Sequence, residues 1–197
     1  MVNHRTDPHP PLLRIRARPV VAQREESKTD VLSAYLINSD ISVFEKLKIQ
    51  TQVLVPVIRA FRAAMGEAPA NQILRAALRE WSAQLFHDLG QQIEGSPKKK
   101  WATLNAAITA KTADFIEFEV LRQDKAALEV NMTTCRLAEF FKHLNEPELG
   151  ALLACEADFD IAAVGSPDVE LTRTQTIMKG ASHCDFRYLL KKAAEPK

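Results

Sequence analysis

The period of the apolar residues changes near Asp114, and a chain with such a switch folds neither as a helical bundle alone nor as a sheet alone. From Asp40 onward Phe44, Leu47, Leu54, Ile58, Phe61 and Met65 recur at three-, four- and seven-residue steps, which places them on one face of a helix. Pro56 is expected to kink or split that helix, and Gly66 to end it. Pro69 is expected to open a second, antiparallel helix with a stripe of Ile73, Leu74, Ala77, Leu78, Trp81, Leu85 and Leu89, stopped by Gly90 or Gly95. Ser96-Pro97 starts a third through about Ala110, and its Lys98-Lys99-Lys100 run reads as a solvated first turn.

Beyond Asp114 the segments 115–121 and 128–132 are short, β-favouring and partly alternating, and Arg122-Gln123-Asp124-Lys125 joins them as a hairpin turn. Cys135 then opens a helix carrying Leu137, Ala138, Phe140, Phe141 and Leu144. Pro147 begins another, through Leu149, Leu152, Leu153, Phe159 and Ile161 to a stop at Gly165-Ser166-Pro167. A last hairpin is expected from Val169–Met178 and Cys184–Leu190, joined by Lys179-Gly180-Ala181-Ser182. The order predicts an α+β fold, with N-terminal helices followed by an antiparallel sheet of about four strands that has helices packed on it.

The 197 residues, 46% of them apolar, suffice for one substantial core. Residues 1–30, with Pro8, Pro10, Pro11 and Pro19 among arginines, read as an arm; 31–192 form a single domain and 193–197 a tail. A formal net charge of +1 supplies no field that would draw nucleic acid or an anionic membrane, so the expected partner is a small-molecule substrate. No apolar run approaches the roughly 20 residues of a membrane span, and the first residues lack the apolar core of a secretory signal. Cytoplasmic localisation is the expectation. The helical stripes leave a homo-oligomer open, since they could face a core or a second subunit.

Chemistry concentrates in the last third, where the three cysteines lie in polar clusters: Thr133-Thr134-Cys135-Arg136, Cys155-Glu156-Ala157-Asp158 and His183-Cys184-Asp185-Phe186-Arg187. Their odd number and irregular spacing argue against a disulfide framework. A thiol becomes a nucleophile when a nearby cation stabilises its thiolate, a part open to His183 or Arg187 beside Cys184 or Cys155. A regular strand would set Cys184, Phe186 and Tyr188 on one side and His183, Asp185 and Arg187 on the other. Each cysteine also has a plainer reading as a small buried apolar side chain. Zinc held by Cys135, Cys155 and Cys184 with Asp158 or His183 is a further option, though no close Cys-x-x-Cys pair supports it. No Gly-rich phosphate loop, nucleophile-elbow serine or His-Glu-x-x-His motif occurs.

At these residues the chain resembles the L-2-amino-thiazoline-4-carboxylic acid hydrolase family. The likeness rests on the segments 135–141, 146–150, 155–159, 173–176 and 180–187, and extends over roughly residues 40–190. It implies hydrolytic opening of a small cyclic amidine-like ring, as in conversion of aminothiazoline carboxylate to an N-carbamoyl cysteine product, with no required cofactor. The ring carbon between nitrogen and sulfur would be attacked by water activated by Asp158 or His183, or by a Cys155 or Cys184 thiolate. His183 or Asp185 would protonate the departing atom, and Arg173 or Arg187, with Thr176 in the same matched segments, would hold the substrate. The fold is also similar to that of bacteriochlorophyll vinyl-reductase and related sensor domains. The alternative is therefore a non-catalytic small-molecule-binding domain with a structural metal at the cysteines.

Overall fold

A computed structural model of the chain describes residues 41–191. The expected arm and the tail 193–197 lie outside them. The fold is α+β: three helices, a hairpin, a run of short helical segments and two further strands.

Helix α1 (Val43–Met65) starts where the Ser42 hydroxyl accepts the Glu45 N–H at 3.2 Å. Pro56 does not split it. The carbonyl that loses its donor there belongs to Gln52, which is exposed and can be met by water. Phe44, Val55 and Ile58 are buried, whereas Phe61 and Met65, expected on the same face, are 48% and 43% exposed. Gly66 ends α1 at φ 91°, its N–H bonding Arg62 O at 2.9 Å.

Helix α2 (Glu67–Gln91) begins at once, so Pro69 lies inside its first turn rather than opening it. Its buried positions are Ala70, Asn71, Ser82 and Gly90, while Ile73 and Trp81 of the expected stripe are exposed. Close packing explains the difference, because small residues sit where the helix meets its neighbours. A Cβ on Gly90 would lie 2.6 Å from Val164. Helix α3 (Pro97–Thr112) is capped by Ser96 and buries Trp101 and Leu104.

Strands β1 (Ile116–Gln123) and β2 (Ala127–Cys135) form the expected hairpin. Asp124 Oδ1 closes its turn by accepting the N–H groups of Ala126 and Ala127 at 2.7 and 2.9 Å. Cys135 Sγ accepts the Ala138 N–H at 3.4 Å and so caps α4 (Arg136–His143). The single helix expected after Pro147 is three pieces: α5 (Pro147–Gly150), a π turn (Ala151–Cys155) and α6 (Ala157–Ala163). Gly150 lets α5 press on α4 and on Met178, since a Cβ there would lie 2.6 Å from Phe141 and 2.7 Å from Met178 Sδ.

Strand β3 spans only Val169–Thr172, not the expected run to Met178, and a 3-10 turn at Ile177–Lys179 precedes β4 (Cys184–Leu190). The antiparallel sheet has the order β1-β2-β4-β3, with Asn131 opposite Asp185 and Met132 opposite Cys184. One core gathers around Phe44, Ile58, Phe115, Phe141 and Leu149 between the helices; a second lies under the sheet around Trp101, Val130, Phe186 and Tyr188. Among the described residues no helix is long and apolar enough to cross a membrane.

Candidate active site

Alternation along β3 buries Val169, half-buries Leu171 and brings Arg173 inward as well. The Arg173 side chain is 6% exposed, a burial that a guanidinium tolerates only when its donors are met. Nη1 donates to Asp158 Oδ2 and Nη2 to the Cys155 carbonyl at 2.9 Å. That carbonyl is free because the helix is irregular there. Glu156 N–H reaches back to Ala151 O (3.1 Å), and Phe159 N–H turns to Glu156 O (3.3 Å). The guanidinium also lies over the rings of Phe159 (5.0 Å) and Phe186 (5.3 Å).

The ladder breaks after Thr172 because Asp185 takes over its hydrogen bonds. The Asp185 carboxylate accepts Thr174 N–H (2.9 Å), Gln175 N–H (2.8 Å) and the Thr174 hydroxyl (2.6 Å). Burial pushes this carboxyl up, but the bonds from Thr174 and Gln175 outweigh it and hold Asp185 below the usual carboxylate range. Thr176 is buried and caps the 3-10 turn, its hydroxyl accepting Lys179 N–H at 3.2 Å. Gln175 Nε2 lies 2.8 Å from His183 Nε2, and Ser182 Oγ lies 3.0 Å from His183 Nδ1.

Asp158, on α6, keeps 28% of its side chain exposed. Burial pushes its carboxyl up to about 6, against the pull of Arg173, so it exchanges its proton close to neutral pH. Burial, and then the charge of Asp158, push the neighbouring Cys155 thiol up to about 12. Cys135 and Cys184 are raised by burial as well. These environments keep the thiols protonated. Cys184 Sγ accepts the Ile177 N–H at 3.2 Å.

The structure therefore brings Cys155, Asp158, Arg173 and Cys184 together, with Asp185, His183 and Thr176 shaping the loop that carries Arg173. Arg187 lies apart, on the opposite face of the sheet that strand parity assigns it. Its donors go to the carbonyls of Val130 and Phe186, each at 3.0 Å, and to Asn131 Oδ1 at 2.9 Å.

A cleft of about 510 Å³ opens beside this group between α2, α6 and the loop after β3, within the range of small-molecule sites. Arg173, Gln175 and Phe159 form one part of its lining, and Arg75, Arg79 and Lys179 bring further positive charge. Arg75 is paired with Glu156 at 3.2 Å. Sequence reasoning missed both α2 arginines, because that helix reads as scaffold. Their four-residue spacing, which puts them on one helix face, was the available signal.

Among the described residues, no three His, Cys, Asp or Glu side chains gather where a metal could be held, so the optional zinc at the cysteines has no ligand set there. The family model described as L-2-amino-thiazoline-4-carboxylic acid hydrolase matches residues 46–188. No curated protein matches the chain. With most of its 197 residues under that match, from α1 to β4 and including the whole cleft, the chain belongs to the L-2-amino-thiazoline-4-carboxylic acid hydrolase family, whose name denotes a hydrolase.

Proposed function

We propose that this member of the family opens a small cyclic amidine of the aminothiazoline-carboxylate type by adding water, with Asp158 moving the proton. The observation that carries this reading is a carboxyl pushed up to about 6 and paired with a single buried arginine that lines the cleft. An acid–base group works best when it exchanges its proton near the working pH.

Water adds across the ring carbon–nitrogen double bond, its oxygen going to carbon and a proton to nitrogen. The carbon–sulfur bond then breaks with its electron pair leaving on sulfur, and the hydroxyl proton passes through Asp158 to that sulfur. The product is an open-chain N-carbamoyl amino acid with a free thiol, and one water is consumed. Arg173 holds the Asp158 carboxylate in place, while Asp185 and His183 position the loop that carries Arg173 and Gln175. A Cys155 thiol pushed up to about 12 favours water over a thiolate as the nucleophile.

Mass-spectrometric detection of ring opening by wild type, Asp158→Asn and Cys155→Ala tests the reading. Loss in the first variant with retention in the second is the expected pattern. Loss in Cys155→Ala alone would move the chemistry to the thiol. Absence of turnover by wild type on any cyclic amidine would leave a binding domain.

A further inference from the structure

A ring substrate that carries a carboxylate needs a cation with free donors, and the two arginines expected from sequence for that task are both engaged. Arg173 spends Nη1 on Asp158 and Nη2 on the Cys155 carbonyl, and stacks on Phe159 and Phe186. Arg187 is bonded to Val130, Phe186 and Asn131 on the other face of the sheet. The same cleft has further cations on α2 and the 3-10 turn. Among the described residues four cationic side chains line it, Arg75, Arg79, Arg173 and Lys179, against the acidic Glu156 and Asp160.

Of those four, Arg75 is neutralised by Glu156 and Arg173 by Asp158. Arg79 and Lys179 form no ion pair among the described residues, although Glu156 and Asp160 share the lining with them. Arg79 is exposed and follows Arg75 by one helical turn, so two guanidinium groups crowd one helix face. That arrangement favours an anion arriving beside Arg79. Its planar fork suits a carboxylate, and Lys179 adds a point charge.

Resting on the hydrolase reading above, we infer that Arg79, assisted by Lys179, is the residue that selects substrates bearing a carboxylate, by receiving that group at the α2 side of the cleft. The ring is thereby left toward Phe159, Arg173 and Gln175, the side of the cleft on which Arg173 pairs with Asp158. Arg79 contributes to binding and not to the bond-breaking step, so its loss should appear in KM and leave kcat nearly unchanged.

The test uses the full chain and two non-hydrolysable probes, 2-aminothiazole-4-carboxylate and its 4-carboxamide, titrated by calorimetry into wild type, Arg79→Gln, Arg79→Lys and, as an off-site charge control, Lys111→Gln. Arg79→Gln should weaken the carboxylate about 10- to 100-fold, the range for a charged hydrogen bond, and leave carboxamide affinity unchanged. Arg79→Lys should recover part of the loss, and Lys111→Gln should behave as wild type. Equal carboxylate affinity in wild type and Arg79→Gln, or no carboxylate binding by wild type, overturns the subsite. Turnover run alongside separates the two ideas. Ring opening with an unchanged KM in Arg79→Gln removes the subsite and keeps the hydrolase; charge-dependent binding without ring opening keeps the subsite and removes the hydrolase.

Discussion

Glu146 and Asp158 are both acidic residues held by arginine in the same C-terminal third, yet they are built for different ends. Glu146, 7% exposed, receives Arg59 Nε and Arg62 Nη1 from α1, each at 2.7 Å, so both of its oxygens are met by cations. Arg62 is anchored in turn by Asn71 of α2 at 2.9 Å. That network ties the loop before α5 to the first two helices. Asp158 is 28% exposed, has one arginine, and is left near the point of proton exchange. A fully neutralised carboxylate gives structure, whereas an incompletely compensated one beside a cleft keeps a proton available.

Substitution should separate the two sites. The largest effect expected is on turnover in Asp158→Asn, where kcat/KM should fall by about 10²- to 10⁴-fold, the usual contribution of a positioned acid–base group. Circular dichroism of that variant should remain native. Glu146→Gln should do the reverse, with urea denaturation showing a loss of about 3 kcal/mol because the half-buried Arg62 is left uncompensated, and kcat of the folded fraction within about threefold of wild type. Equal activity losses in the two variants would break the distinction.

A smaller effect follows from proton linkage. The Asp158 pKa is raised in the folded state, so the stability it contributes is fully present below its unfolded value near 4 and is lost as pH rises through about 6. Wild type should therefore lose on the order of 2 kcal/mol relative to Asp158→Asn between pH 4 and pH 7 in paired denaturation curves. A difference that is flat with pH would contradict that. The smallest effect expected is in Cys155→Ala, which should cost about 1 kcal/mol for the lost packing and leave kcat within about fivefold.

The helices, the first hairpin and the Cys135 cap were legible because each is governed by local pattern: 3.6-residue period, β-favouring runs and capping residues. What local pattern hid was long-range. The break after Thr172 depends on Asp185 of the neighbouring strand. The carbonyl of Cys155 that the π turn leaves free is taken by Arg173, a residue distant in sequence. The α2 stripe read as one apolar face, yet Ile73 and Trp81 are exposed because α2 packs through Ala70, Ser82 and Gly90. The residues of the candidate site stood out as polar clusters around cysteines, and alternation of β4 separated Cys184 from Arg187 as expected. Arg79 carries no such mark, since only the fold brings α2 to the cleft.

The most direct test of the central claim is the pH profile of kcat/KM for ring opening of L-2-amino-thiazoline-4-carboxylate by wild type and Asp158→Asn, read by mass spectrometry. Because the ionised carboxylate accepts the proton of water, wild-type activity should rise with pH through an inflection near 6, and the variant should show residual activity without that inflection. An Asp158→Asn variant with wild-type turnover, or a wild-type profile flat through pH 6, would contradict it.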